Sequence, residues 1–179
     1  IRLSLVGSEM CIRDRVYQVN LFEKLLVPLL TKLGNLVVDG GIWLNTQRPE
    51  WNDANNALVG QGLSMVTLYY MRRYISCLQK LLTSAQTGSF ALSSEVGQFL
   101  EGIAISLSRL RPLLGDKPLS ATQRYQSMVE LGQASSSYRQ AVYQPESFSG
   151  RCDQSVDAVM ALLQDCLLYT SDAADDLLC

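Results

Sequence analysis

Apolar residues recur at intervals of three and four along most of this chain, which places them on one face of an α-helix. Strands and helices do not alternate, and no short repeat of fixed period is present. The pattern therefore predicts an all-α fold built from long antiparallel helical hairpins, with one elaborated loop. The predicted helices cover residues 16–33, 58–82, from Ser93 or Ser94 to 110, 120–143 and 155–164.

Capping and turn residues mark the ends of the predicted helices. Pro28 is expected to kink or interrupt the first helix, and Gly34 is suited to end it. Ser120 and Gln123 have the spacing of a capping box, in which each side chain bonds the other residue's backbone N–H. Residues 35–45 hold two short apolar runs around Asp-Gly-Gly, which predicts a hairpin or a simple turn.

Residues 57–82 form the longest apolar run, and its apolar positions cover more than one face of a helix. Because a helix that is apolar nearly all round is buried, we predict a central helix here. Polar and basic residues interrupt the run too often for it to span a membrane. Its predicted N-cap is Asp53, Asn55 or Asn56. Three tyrosines of this helix are expected to pack in helix interfaces: Tyr69, Tyr70 and Tyr74.

The polar segment, residues 45–56, lies between the hairpin and that helix and holds the densest chemistry in the chain. It contains two carboxylates, five side-chain amides and one arginine, with two tryptophans beside or within it. A sugar site needs this mixture, because aromatic rings stack on sugar faces while amides and carboxylates bond the hydroxyls. The alternative is that the polar residues are helix-start and turn residues and the tryptophans are core aromatics. The candidate sugar-binding residues are Trp43, Asn45, Gln47, Arg48, Glu50, Trp51, Asn52, Asn55 and Asn56.

Composition argues against several kinds of function. Hydrophobic residues make up 47% of the 179 residues, which is enough for one domain with a core. A net charge of −2 does not favour a nucleic-acid partner, and no membrane partner is expected. Histidine is absent, which excludes histidine-based triads and histidine-ligated metals, and the five cysteines lack the spacing of a zinc site. We therefore expect neither a metal nor a cofactor.

Both ends of the chain resemble translated sequencing adapters. The resemblance covers residues 6–15, VGSEMCIRDR, and residues 166–176, CLLYTSDAADD. It divides the chain into a foreign end at 1–15, a partial domain at 16–165 and a foreign end at 166–179, and we expect no fold in the two ends. The odd cysteine count favours a reducing, cytoplasmic compartment, but three of the five cysteines lie in these ends, so the count carries little weight.

Residues 49–56, Pro-Glu-Trp-Asn-Asp-Ala-Asn-Asn, are followed by Val-Gly and an aromatic-rich apolar run. This arrangement resembles the catalytic motif of the cellobiose and chitobiose phosphorylases, in the six-hairpin glycosidase-like superfamily with its (α/α)6 barrel. The resemblance implies that residues 16–165 are a fragment of such a catalytic domain, completed by the missing remainder of the same chain. It also implies that Asp53 is the general acid that protonates the glycosidic oxygen and that Trp51 is a sugar platform.

The sequence departs from that motif at points that bear on activity. Glu50 stands where the family has aspartate, Asn55 stands where it has methionine, and the phosphate-binding histidine of these phosphorylases has no counterpart. Both hydrolysis and phosphorolysis are therefore open. The second catalytic group is not identified either, because Asp153 and Asp157 lie on a predicted solvated helix start. Two functions remain: an enzyme that acts on the glycosidic bonds of a carbohydrate substrate, and a non-catalytic helical domain that binds carbohydrate or serves as a scaffold.

Overall fold

The protein is mostly helical, as described by a computed structural model over residues 17–45, 59–113, 119–143 and 148–175. These residues contain five α-helices, a 3-10 turn at Arg111–Leu113 and two small antiparallel sheets, so the prediction of a mostly helical fold is confirmed and the sheets are additions to it. The helices are α1 Leu21–Leu33, α2 Met65–Ser84, α3 Ser94–Leu110, α4 Ala121–Tyr143 and α5 Val156–Asp175. The strands are β1 Leu36–Val37, β2 Gly41–Trp43, β3 Leu63–Ser64, β4 Ser89–Ser93 and β5 Arg151–Ser155.

The helices enclose one hydrophobic core, in which α3 packs along α4, α2 packs along α5 and α1 lies against α3. The apolar stripe predicted on α3 is buried along its whole length, and burial of each such side chain contributes roughly 1.5–3 kcal/mol. The stripe consists of Val96, Phe99, Leu100, Ile103, Leu107 and Leu110.

No helix in the described parts of the chain is both long enough and apolar enough to cross a bilayer.

The predicted hairpin is present, and a third strand extends it. β1 and β2 pair antiparallel, and Asp39 and Gly41 lie at or beside the turn with φ angles of 62° and 130°. β3 pairs with the other edge of β2, with Trp43 opposite Leu63. The sequence carries no signal for β3, because a two-residue strand has no periodicity and forms only where the edge of β2 is available.

A second sheet, β4 paired with β5, lies largely in segments that were predicted as loops or unassigned. The strands are antiparallel, with Ser89 opposite Ser155 and Ser93 opposite Arg151. Neither SFALS nor RCDQS shows the regular alternation of apolar and polar residues that predicts a half-buried strand. The pairing joins residues more than fifty positions apart, so only the packed fold brings them together.

Helix α2 differs from the prediction in its start and in its burial. It begins at Met65 and is capped by Ser64, whose hydroxyl accepts a 3.1 Å hydrogen bond from the Thr67 N–H. One face packs into the core and the opposite face is exposed, so the helix is not buried all round. Of its tyrosines only Tyr74 packs as expected, and its hydroxyl donates to the Leu25 carbonyl at 2.7 Å. The exposed apolar residues are Val66, Tyr69, Tyr70 and Leu81.

Helix α1 starts later than predicted and does not end at Pro28. Its N-cap is Asn20, whose side-chain oxygen accepts a 2.8 Å hydrogen bond from the Glu23 N–H. Gly34 is the C-cap, but its φ of −61° does not use the left-handed conformation that glycine favours. The position needs glycine for space instead, because a Cβ there would lie 2.6 Å from the Cβ of Ser135 on α4.

Helix α4 begins with the predicted capping box. The Ser120 N–H donates to Gln123 Oε1 at 2.9 Å, and the Gln123 N–H donates to Ser120 Oγ at 3.3 Å. The apolar residues of this helix, Tyr125, Met128, Leu131, Tyr138 and Val142, recur at helical spacing but are not all buried, since Leu131 is buried while Tyr125 is exposed. Two buried serines, Ser127 and Ser135, share the inner face with Leu131. Small side chains on this face allow close helix packing.

Helix α5 extends through residue 175, into the part of the chain that resembles an adapter translation. Cys166 and Tyr169 lie in the core, with exposures of 0% and 2%. The Tyr169 hydroxyl donates to the Leu107 carbonyl at 2.5 Å. Burial and the nearby Asp165 carboxylate raise the pKa of Tyr169 to about 12. These residues contribute to the core, whereas the sequence predicted an end without fold; their resemblance to an adapter stays a prediction.

Candidate functional site

The predicted sugar site lies mostly outside the described residues. Trp43 and Asn45 are described: Trp43 is the last residue of β2, and Asn45 follows it by two positions outside the sheet. The predicted site residues that lie outside the described ranges are Gln47, Arg48, Glu50, Trp51, Asn52, Asp53, Asn55 and Asn56.

The chain enters and leaves residues 46–58 at neighbouring points of the same sheet. Beyond the β2–β3 pairing, the Leu44 N–H donates to the Gly62 carbonyl at 3.0 Å. The Gly60 N–H donates in turn to the Leu44 carbonyl at 2.6 Å. Gly60 has a φ of 77°, a conformation that glycine adopts without strain. These backbone hydrogen bonds join the residue before the polar segment, Leu44, to the residues after it, Gly60 and Gly62.

Trp43 is not a core aromatic. Its side chain is 37% exposed at the end of β2, next to Leu63, which is also partly exposed on β3. The Trp43 N–H donates to the Asn35 carbonyl at 2.8 Å, so the backbone beneath the indole is fixed. A large ring that is held in place and partly open to solvent has the properties of a stacking surface.

Asn45 is tied to the C-terminal end of α1. Its amide Nδ2 donates to Asn35 Oδ1 at 2.6 Å, and Asn35 Nδ2 donates to the Thr31 carbonyl at 3.0 Å. This chain of hydrogen bonds positions Asn45 next to Trp43 at the beginning of the polar segment. The amide of Asn45 therefore has a structural partner in addition to the ligand role that the sequence suggested.

The observed start of α2 corrects one explanation of the polar segment. Because Ser64 caps α2, none of Asp53, Asn55 and Asn56 is the N-cap of that helix. The carboxylates of the segment likewise do not lie in the first turn of α2, which contains no acidic residue. Capping of α2 therefore does not account for the polar composition of residues 45–56.

A second candidate site is a cleft of about 510 Å³ between α3 and α4. This volume falls within the range of roughly 300–1,000 Å³ that is typical of small-molecule pockets. Tyr138 lines the cleft and stacks on Phe99, with the ring centroids 4.7 Å apart and the planes inclined by 12°. Arg109 and Glu130 also line it and form an ion pair of 3.7 Å.

Glu95 also lines this cleft and is 6% exposed. Its Oε1 accepts hydrogen bonds from the Ser149 N–H at 2.8 Å and from the Ser149 hydroxyl at 2.7 Å. Burial opposes ionisation of this carboxyl, but the bonds from Ser149 and the backbone N–H of Glu95 outweigh it, so the pKa of Glu95 lies below its usual value. Glu95, in the first turn of α3, therefore connects that helix by hydrogen bonds to Ser149, which lies just before β5.

Replacing Glu95 by glutamine should reduce the loss of stability on acidification. An unfolded glutamate has a pKa of about 4.3, so the ionised Glu95 stabilises the fold fully above that pH. This contribution is lost as the pH falls from about 4.3 through the lower folded-state pKa. Urea unfolding at about pH 7 and about pH 3 gives the difference in unfolding free energy, which should be smaller in Glu95→Gln than in the unmodified protein.

Glu101, which is exposed on the same helix, provides the matched control. The Glu101→Gln variant should keep the acid-induced loss of the unmodified protein. An unchanged loss in Glu95→Gln would show that the hydrogen bonds from Ser149 do not stabilise the ionised form.

A second buried carboxylate, Glu23 on α1, was not identified from the sequence. Its Oε2 accepts from the Ser93 N–H at 3.0 Å, and its Oε1 accepts from the Ser93 hydroxyl at 2.5 Å. Ser93 is the N-cap of α3 as predicted, but its side chain makes no capping bond because it bonds Glu23. A signal was present, since Glu23 lies three residues before Leu26 and seven before Leu30, in phase with the apolar stripe of α1.

Glu23 is not available as a catalytic acid, because both of its oxygens hold Ser93 at the end of β4. Glu95 holds Ser149 with Oε1, and its buried Oε2 has no hydrogen-bond partner in the described parts of the chain. Its lowered pKa keeps Glu95 ionised near neutral pH, which does not suit a proton donor.

Asp153 and Asp157 are exposed, the first on β5 rather than on a helix start and the second in the first turn of α5. Across the described ranges, no three potential metal ligands among histidine, cysteine, aspartate and glutamate lie together. No protein-family model matches the chain, and no curated protein matches its sequence.

Proposed function

We propose that this chain is part of a carbohydrate-active protein that acts on glycosidic bonds. In this proposal the polar segment binds the sugar, and the helices are a fragment of an (α/α)6 barrel that the remainder of the same chain completes. The observation that carries the proposal is the exposed indole of Trp43, held at the point where the chain enters the polar segment. An aromatic ring beside amides and carboxylates is the chemistry that recognises sugars.

Asp53 is the proposed general acid. Cleavage of a glycosidic bond requires a proton on the leaving oxygen and a second group, either a carboxylate or a phosphate, that supplies or activates the nucleophile. Glu50 and the amides of the segment would bind hydroxyls and orient the sugar. The second group is proposed to come from the remainder of the chain, because Asp153 and Asp157 are exposed and Glu23 and Glu95 are bonded to serines.

Removal of the Trp43 ring tests the sugar-binding part of the proposal. We expect Trp43→Ala to weaken binding of cellobiose or chitobiose by roughly tenfold, since an aromatic contact is worth about 0.5–1.5 kcal/mol beyond its buried area. Isothermal titration calorimetry on the complete protein measures the affinity. Trp43→Phe should retain most of it, and Tyr143→Ala, at an exposed site 83% open to solvent, should retain all of it.

The results also separate catalysis from binding. Sugar binding that depends on Trp43, accompanied by cleavage of the disaccharide, supports the enzyme. Binding without cleavage by the complete protein identifies the non-catalytic carbohydrate-binding alternative. If Trp43→Ala binds both disaccharides as tightly as the unmodified protein, Trp43 is not a sugar platform.

A further inference from the structure

The outer side of α2 carries a concentration of positive charge. The twenty residues of this helix include Arg72, Arg73 and Lys80 and no acidic residue, although the chain as a whole has a net charge of −2. We call the surface formed by Arg72, Arg73, Ser76, Cys77 and Lys80 the basic face. Such a concentration of one charge on one helix attracts anions locally, whatever the net charge of the protein.

The side chains of the basic face line a shallow, open depression of about 420 Å³. Arg73, Ser76 and Lys80 are spaced by three and four residues, so they follow one side of the helix. Arg73 and Lys80 are separated by seven residues, which is roughly 10 Å along the helix axis. The depression is therefore long enough for an anionic group together with part of the molecule that carries it.

Two contacts hold this surface in place. The Arg73 guanidinium lies over the Tyr70 ring, 5.9 Å from the ring centroid. The Ser76 hydroxyl donates to the Arg72 carbonyl at 3.1 Å, which fixes its oxygen on the helix. These contacts restrict Arg73 and Ser76 without neutralising either arginine.

Three arginines elsewhere in the described structure differ from those of the basic face. Arg109, Arg111 and Arg124 each lie within 3.1–3.8 Å of a carboxylate, whereas Arg139 and Arg151 donate to the Ser136 hydroxyl and the Gln18 carbonyl. In the same described ranges, neither arginine of the basic face nor Lys80 has a carboxylate at ion-pair distance. Within those ranges, no carboxylate competes with an external oxyanion for their donors.

We propose that the basic face is an oxyanion-binding site for a phosphate, sulfate or carboxylate group. Guanidinium groups bind such anions through paired N–H donors, and the Lys80 ammonium adds a second point of charge farther along the helix. The anion is either free inorganic phosphate or an acidic group carried by a saccharide. In the second case, the exposed rings of Tyr69 and Tyr70, one turn before the arginines, offer a face for the sugar. The site does not depend on the proposed function, because none of its residues belongs to the polar segment.

The test uses the full chain and three probes at one fixed ionic strength set with potassium chloride. Inorganic phosphate, D-glucuronate and D-glucose are titrated separately, and binding is measured by isothermal titration calorimetry and by NMR. We expect saturable binding of phosphate or glucuronate at the basic face and none of glucose there, so any glucose bound at the proposed sugar site should bind equally well when the arginines of the basic face are replaced. Tighter binding of glucuronate identifies a saccharide-borne anion, and tighter binding of phosphate identifies the free ion.

The Arg72→Gln/Arg73→Gln double variant should weaken anion binding at least tenfold, since hydrogen bonds to charged groups are the strong ones. The Lys24→Gln/Arg139→Gln variant makes the same change in net charge at two exposed positions on α1 and α4, and it should bind like the unmodified protein. The single variant Lys80→Gln, at an exposed position, provides a further test if the double variant loses structure by circular dichroism. A response that does not saturate, or an equal loss in the control variant, would show that the basic face is only a solvated helix surface.

Discussion

Ending the chain after Asp165 should lower the free energy of unfolding by about 4 kcal/mol or more. This cut removes Tyr169, which is 2% exposed and bonded to the Leu107 carbonyl, and Cys166, which is fully buried. Loss of one large buried aromatic residue costs about 3–5 kcal/mol, and the loss of its neighbour adds to it. The adapter-like character of the segment predicted the opposite, a change of at most about 1 kcal/mol.

Urea denaturation of three chains decides between these outcomes. The chain that ends after Asp175 is the control, because it keeps both buried residues and should unfold like the full chain. Tyr169→Ala should reproduce most of the loss, whereas Tyr169→Phe should cost only about 1 kcal/mol, the value of one neutral hydrogen bond. If the chain ending after Asp165 is as stable as the full chain, residues 166–175 do not support the core.

Replacing Asp53 by asparagine in the complete protein should lower turnover of a sugar substrate by about 10²–10⁴-fold, the usual contribution of a general acid. Asparagine has nearly the same shape but cannot deliver a proton to the leaving oxygen. Folding and sugar binding should therefore change little. Steady-state kinetics on cellobiose and chitobiose, combined with calorimetric affinities, separate the effect on turnover from the effect on binding.

Glu50→Gln is the matched comparison for this experiment. Because Glu50 is proposed to bind hydroxyls rather than to donate the proton, its replacement should cost less and should act mainly on binding. Two results would count against Asp53 as the acid: near-normal turnover of Asp53→Asn, or loss of the folded state, which would give the residue a structural role.

Interactions between residues close in sequence could be predicted from the sequence. The buried stripe of α3, with members such as Phe99 and Ile103, repeats within single helical turns, so its pattern is complete without knowledge of the fold. The capping box of Ser120 and Gln123 is likewise contained in four residues. The turn at Asp39 also depends on local backbone preferences. These local features are the reason that α3, the start of α4 and the β1–β2 hairpin could be predicted from the sequence.

The same distinction holds for the candidate sugar site. Its chemical groups could be read from the sequence, because the amides, carboxylates and tryptophans near residues 45–56 are adjacent in the chain. The contacts that hold the two ends of the segment depend on the tertiary structure. The pairing of β2 with β3 and the bond from Asn45 to Asn35 exist only when α1 and the sheet are in place.

The tertiary structure alone decided the features whose partners lie far apart in the chain. β4 and β5 have no clear alternation of apolar and polar residues, and each is stabilised by a partner more than fifty residues away. The position of Glu23 in the apolar stripe of α1 indicated its burial, but the serines that donate to Glu23 and Glu95 are known only from the tertiary structure, and a buried carboxylate requires such donors. The sequence of this protein therefore determines its helices and its local turns, and the packing of distant segments determines which polar groups are buried and which remain available to a ligand.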